Sequence, residues 1–148
     1  KLISPTLQDA EVERFQPRES FLKGGNANTI FRKSYAEGKD FVILKTILNY
    51  FTAVQQSFID NNGNSSWSFN ESSDNPLQRT IGFQALIKVL INIFPEGYLI
   101  KDLSVEFFKK KLKNVHKLQL VDKKGNSNYP YSSIGVNKLR DDIMNLVD

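Results

Sequence analysis

Asp40-Phe41-Val42-Ile43-Leu44-Lys45-Thr46-Ile47-Leu48-Asn49-Tyr50-Phe51-Thr52-Ala53-Val54-Gln55-Gln56-Ser57-Phe58 is the stretch that decides the fold. Phe41, Leu44, Ile47, Leu48, Phe51, Val54 and Phe58 recur at spacings of three and four, one face of an amphipathic helix. Asp40 is available as its N-cap. Downstream, residues 60–75 are rich in Asn, Ser and Gly and read as a loop, in which Trp67 and Phe69 are expected to anchor to the core. A second long helix is predicted over 77–94, with Ile81, Leu86, Leu90, Ile93 and Phe94 on one side. Val89 and Ile91 widen that stripe, and Pro95-Glu96-Gly97 ends it. These two helices are expected to form the central pair.

Working outward, a helix should run from about Ser4 to Phe15, marked by Leu7, Val12 and Phe15, and stop before Pro17. Gly24-Gly25 breaks regular structure, and a short helix over 27–36 ends at Gly38. A helix from Asp102 or Ser104 to about Asn114 points Leu103, Phe107, Phe108 and Leu112 inward. Residues 118–121 suggest a short strand within a β-hairpin near 118–129. Ser132 or Ser133 caps a closing helix over 134–147. The expectation is a mainly α fold of about five helices around one core, a single domain over 1–148. Residues 1–38 read either as part of that core or as a peripheral extension. The only methionine is Met144, so residue 1 is not a translation start, and the chain is expected to be a fragment or a product of processing.

Composition narrows the function classes. The 148 residues contain no Cys, which excludes a disulfide framework, a thiolate zinc site and a cysteine nucleophile. The single histidine, His116, excludes a multi-histidine metal site and reads as an ordinary surface residue. Gly24-Gly25 and Gly38-Lys39-Asp40 do not make a phosphate-binding loop, and no nucleophile elbow or zinc-protease motif occurs. Asp141-Asp142 reads as a solvated helix face. Asn64 and Asn70 match the glycosylation pattern by chance, in a loop rich in Asn and Ser. Neither a cofactor, a metal nor a catalytic residue is expected. No membrane-spanning run is expected, and the location is taken as cytoplasmic.

Charge supplies the functional clue. Residues 1–100 balance ten basic against ten acidic side chains, whereas residues 101–148 carry ten against six, so the whole net charge of +4 lies in the last third. Lys109, Lys110, Lys111, Lys113, Lys117, Lys123 and Lys124 crowd one segment that contains a single acid, Asp122. Lysines attract a phosphate backbone without reading bases. Arg is absent here, and Arg makes most bidentate base contacts. Arg32-Lys33 with Tyr35 is a weaker candidate. Tyr129 and Tyr131 could either stack on bases or cover the core edge.

Three segments carry a resemblance. Residues 41–54, residues 77–86 (Leu-Gln-Arg-Thr-Ile-Gly-Phe-Gln-Ala-Leu) and residues 131–139 (Tyr-Ser-Ser-Ile-Gly-Val-Asn-Lys-Leu), with a Trp-containing loop between the first two, resemble the C-terminal part of DGQHR-domain proteins. That family includes DndB-like members associated with bacterial DNA phosphorothioation and defence. The name-giving motif is absent, so the resemblance implies the helical C-terminal region alone and assigns no catalytic residue. It implies a non-catalytic accessory module touching DNA backbone through the Lys-rich face. The alternatives are a protein-interaction or homo-oligomerisation module, and an inert fragment of an enzyme whose active site lies upstream. Gly82, inside a helix, costs about 1 kcal/mol against Ala; another element is expected to pack closely there.

Overall fold

The computed structural model describes residues 1–60, 63–66 and 74–148. The expected anchors Trp67 and Phe69 lie outside the described residues. Among the described residues six α-helices follow in order: α1 Leu7–Glu13, α2 Arg32–Ala36, α3 Asp40–Ser57, α4 Thr80–Ile100, α5 Val105–Lys111 and α6 Ser133–Met144. The fold is mainly α. No sheet forms among the described residues, and the expected hairpin reduces to a lone bridge between Val121 and Ser127. A tight turn replaces it because Asp122 takes up the backbone N–H groups of Lys124 and Asn126 at 2.7 and 2.9 Å.

α4 is the axis of the core. Ile81, Ala85, Leu86, Val89, Leu90, Ile93 and Phe94 are buried along it, as the spacing predicts. By length and composition α4 could also cross a bilayer, but here its apolar stripe lies in the core. It does not end at Pro95. The helix continues for another turn and closes at Lys101, whose left-handed backbone (φ 60°, ψ 30°) lets its N–H reach Gly97. Pro95 is exposed; it loses its own N–H bond and crowds the carbonyl one turn back, while Gly97 is held by close packing. A Cβ there would lie 2.7 Å from both the Asp102 carbonyl and the Phe107 ring.

α3 runs antiparallel to α4. Phe51 stacks on Phe83 near the start of α4, and Phe31, just before α2, meets Phe94 near its end. The α3 helix forms where the periodicity places it, but the buried face differs. Thr46, Tyr50, Ala53 and Val54 are buried, whereas Phe41, Leu44 and Leu48 are exposed. The helix is turned by about a third of a turn from the apolar stripe. Burial of the polar pair is tolerated because both hydroxyls are satisfied: Tyr50 donates to the Leu86 carbonyl at 2.7 Å and Thr46 to Val42 at 2.8 Å. Burial also pushes the Tyr50 hydroxyl far above its ordinary pKa. Asp40 does not cap α3; it pairs with Arg18 at 2.8 Å.

α6 packs beside α4 in the same direction. Gly82 and Gly135 permit close approaches at their first turns. A Cβ on Gly82 would lie 2.3 Å from the Pro76 carbonyl oxygen, and one on Gly135 would lie 1.8 Å from that of Pro130. The expected close packing on Gly82 is therefore present.

Residues 1–36 are tied together by one arginine. Arg32 is buried and donates to the Ile3 carbonyl at 2.9 Å, to the Lys23 carbonyl at 3.0 Å and to both Glu13 carboxylate oxygens at 2.5 and 3.1 Å. Its guanidinium also lies 4.8 Å over the Phe21 ring. Gly24 and Gly25, at φ 76° and 89°, wrap the loop around it. Phe31 joins the main core, with Leu2, Ile3 and Ile30 packed against it. The first helix is shorter than expected, capped by Thr6 in a reciprocal capping box with Asp9, and it exposes Leu7, Val12 and Phe15.

Candidate nucleic-acid interface

The Lys-rich segment begins on α5. Ser104 caps this helix, its hydroxyl accepting from the Phe107 N–H at 3.2 Å. Phe107 and Phe108 then enter the core, Phe108 meeting Tyr50 edge to face at 5.4 Å. Lys109, Lys110 and Lys111 are left at the C-terminal end, where the helix dipole favours cations. The helix stops at Lys111 rather than near Asn114, because a short 3-10 turn over Val115–Lys117 buries Val115 instead.

The seven lysines do not share one surface. Lys111 is largely buried, 2.7 Å from Glu96 and 2.6 Å from the Asp148 carbonyl, and fastens the chain end to the end of α4. Lys113 pairs with the Asp148 carboxylate and holds it below the usual carboxylate range. Lys109 stands 3.5 Å from Glu106, an exposed pair of little energetic weight. Lys117 donates to the neutral Asn114 side chain at 3.1 Å. Lys110, Lys123 and Lys124 are exposed and form no ion pair among the described residues, although Lys110 lies close enough to Asp148 to help hold its carboxyl low. Lys123 and Lys124 sit on the Asp122 turn. Gly125 of that turn accepts from Asp74 N at 2.8 Å, and Asp74 pairs with Arg79 at the start of α4. Glu96 and Lys111 mark the far end, about 24 Å along the helix from Thr80. The basic segment thus makes two patches, one at each end of α4.

Other sequence candidates fall to structural roles. His116 is exposed, with Nδ1 2.9 Å from the Lys113 carbonyl. Tyr129 is buried and covers the core edge, donating to Asp142 at 3.0 Å; burial, then that carboxylate, raises its pKa. Tyr131 stays exposed. Asp141 is engaged by Arg140 at 2.6 Å. Arg32 is the buried arginine that ties residues 1–36 together, not a surface cation. No cluster that could hold a metal ion occurs among the described residues.

The chain matches no family model, no curated protein and no solved structure. The likeness to DGQHR-domain proteins therefore rests on the quoted segments alone.

Sequence inspection missed one surface entirely. Lys88 and Arg140 line an open groove between α4 and α6 with Phe83, Ile87 and Ile91. The signal was divided between two distant segments, and only the packing of α6 on α4 brings it together.

Proposed function

We propose that the chain is a non-catalytic helical accessory module of a DNA-associated bacterial protein, and that it contacts nucleic-acid backbone without reading sequence. The observation that supports this is the exposure of Lys110, Lys123 and Lys124, none of which forms an ion pair among the described residues, together with the exposed Lys117. Two patches at opposite ends of α4 suit an extended polyanion better than a small anion. Lys111 and Lys113 are expected to contribute little, since both are committed to the chain end. Duplex DNA binding should fall with salt, each lysine–phosphate contact adding about 0.9 to the slope of log K against log salt. Changing Lys110, Lys117, Lys123 and Lys124 to Glu together should weaken binding by about tenfold or more and flatten that slope. Unchanged affinity and slope in a fluorescence-anisotropy titration would sink the proposal.

A second reading, a protein-interaction or homo-oligomerisation module, is favoured by a different observation. Tyr98, Leu99 and Ile100 are three successive exposed apolar residues at the end of α4, with Leu99 81% exposed. Phe41, 73% exposed, and Val42 lie nearby, lining a hollow with Lys101 and Leu103. Consecutive exposed apolar residues are retained where something covers them. Sedimentation should then show association that weakens with dilution and disappears in Leu99→Glu. A strict monomer at high concentration, with no partner recovered, removes this reading.

A further inference from the structure

We infer that the groove between α4 and α6 binds single-stranded nucleic acid, with a base on Phe83 and neighbouring phosphates on Lys88, Arg140 and Lys1. The groove encloses about 660 Å³. Phe83, Ile87 and Ile91 occupy successive turns of α4 and form an apolar floor about 12 Å long. That length accommodates a short run of nucleotides. Phe83 lies at one end, 53% exposed. One face of its ring is parallel to Phe51, with centroids 5.8 Å apart and planes 7° apart, so the ring is held as a platform.

The cations stand along the walls. Lys88 donates to the Asn137 side chain at 2.6 Å, which draws its ammonium over the seam between the helices. Arg140 follows Asn137 by three residues on α6, so its charge stands about one turn further along the seam. Its Nε and Nη2 are engaged by the Asp141 carboxylate at 2.7 and 2.6 Å, while Nη1 has no partner among the described residues. Three cations therefore face one carboxylate, which sits outside the lining.

A flat exposed ring beside spaced cations is the arrangement that holds single strands: stacking tolerates any base, and the charges follow the backbone. A duplex keeps its bases stacked internally and cannot offer one to Phe83. A lone nucleotide would use one cation, whereas these are distributed along the groove. The site is separate from the lysines of the Asp122 turn and α5, and goes beyond the backbone contact proposed for them.

The test is anisotropy titration of the full chain with labelled oligothymidylate and with a duplex of equal length. The expected result is a preference for the single strand. Phe83→Ala should weaken oligothymidylate binding about tenfold with duplex binding unchanged, and Phe83→Tyr should retain it. Lys88→Gln with Arg140→Gln should weaken it further and reduce the salt slope by about 0.7 per lost contact. Equal affinity for strand and duplex overturns the inference, as does a preference that survives Phe83→Ala. Competition by thymidine monophosphate or polyglutamate as effective as by the oligonucleotide overturns it too. Loss of the Phe83 effect alone leaves the lysine proposal standing. Loss of the Lys110, Lys117, Lys123 and Lys124 effect alone leaves the groove standing.

Discussion

Gly135→Ala is expected to destabilise the protein by about 3 kcal/mol, the upper end of what overpacking costs. An exposed helical glycine exchanged for alanine ordinarily gains about 1 kcal/mol, so the expected sign is reversed. The reason is geometric. Gly135 lies in the first turn of α6, and an added Cβ would sit 1.8 Å from the Pro130 carbonyl oxygen and 2.9 Å from its carbon. Those are backbone atoms and cannot swing aside. The approach is set on both sides, by the Ser132 cap and by Val136, Leu139 and Ile143, which bury against the core. Relief therefore requires α6 to move as a body and open its contact with α4. Urea denaturation checks this; an alanine variant as stable as the parent would show that the turn before α6 yields freely.

Arg32→Met is expected to cost about 3 kcal/mol, because it leaves the Glu13 carboxylate and two carbonyls without their partner in a largely buried setting. Methionine keeps much of the volume, so the loss reports the charge and its hydrogen bonds. Adding Glu13→Gln to Arg32→Met should recover part of it, since no unpaired charge remains. The same pair predicts an acid response. The Arg32 guanidinium holds Glu13 below its ordinary value of 4.5. Its contribution is therefore present above that value and is lost as the pH falls through the lower, folded one. Hydrogen exchange should show residues 1–36 opening before α4 in that acid range. Uniform opening of both, with no difference in Arg32→Met, would mean the segment is held by Phe31 and its apolar neighbours instead.

Much of the fold is legible in order and type. The α3, α4 and α6 positions follow from apolar spacing, and Ser104 and Ser132 act as the caps their positions suggest. What failed was orientation. On α3 the spacing selects Phe41, Leu44 and Leu48 by hydrophobicity, but the face that enters the core carries Thr46, Tyr50 and Ala53. A hydroxyl can be buried once a specific carbonyl receives it, and the Leu86 carbonyl that receives Tyr50 lies 36 residues away. No local pattern contains that partner. The candidate site was legible only in part. The density of lysine is visible in the sequence, but its division is not. Lys111 and Lys113 are drawn to Glu96 and Asp148, and the Asp122 turn is carried to the opposite end of α4.

The residues 40–58 on which the fold turns show where local and tertiary information separate. Their periodicity by itself determined that a helix forms there, because helix formation is governed by neighbours three and four residues apart. The apolar spacing along the chain likewise determined the mainly α class, and the order of charged residues alone placed the excess charge in the last third. Only the tertiary structure decided which side of that helix is buried, which lysines remain free, and that Phe83, Lys88 and Arg140 share a groove. Each of those outcomes depends on volumes, close backbone approaches and hydrogen-bond partners supplied by distant segments.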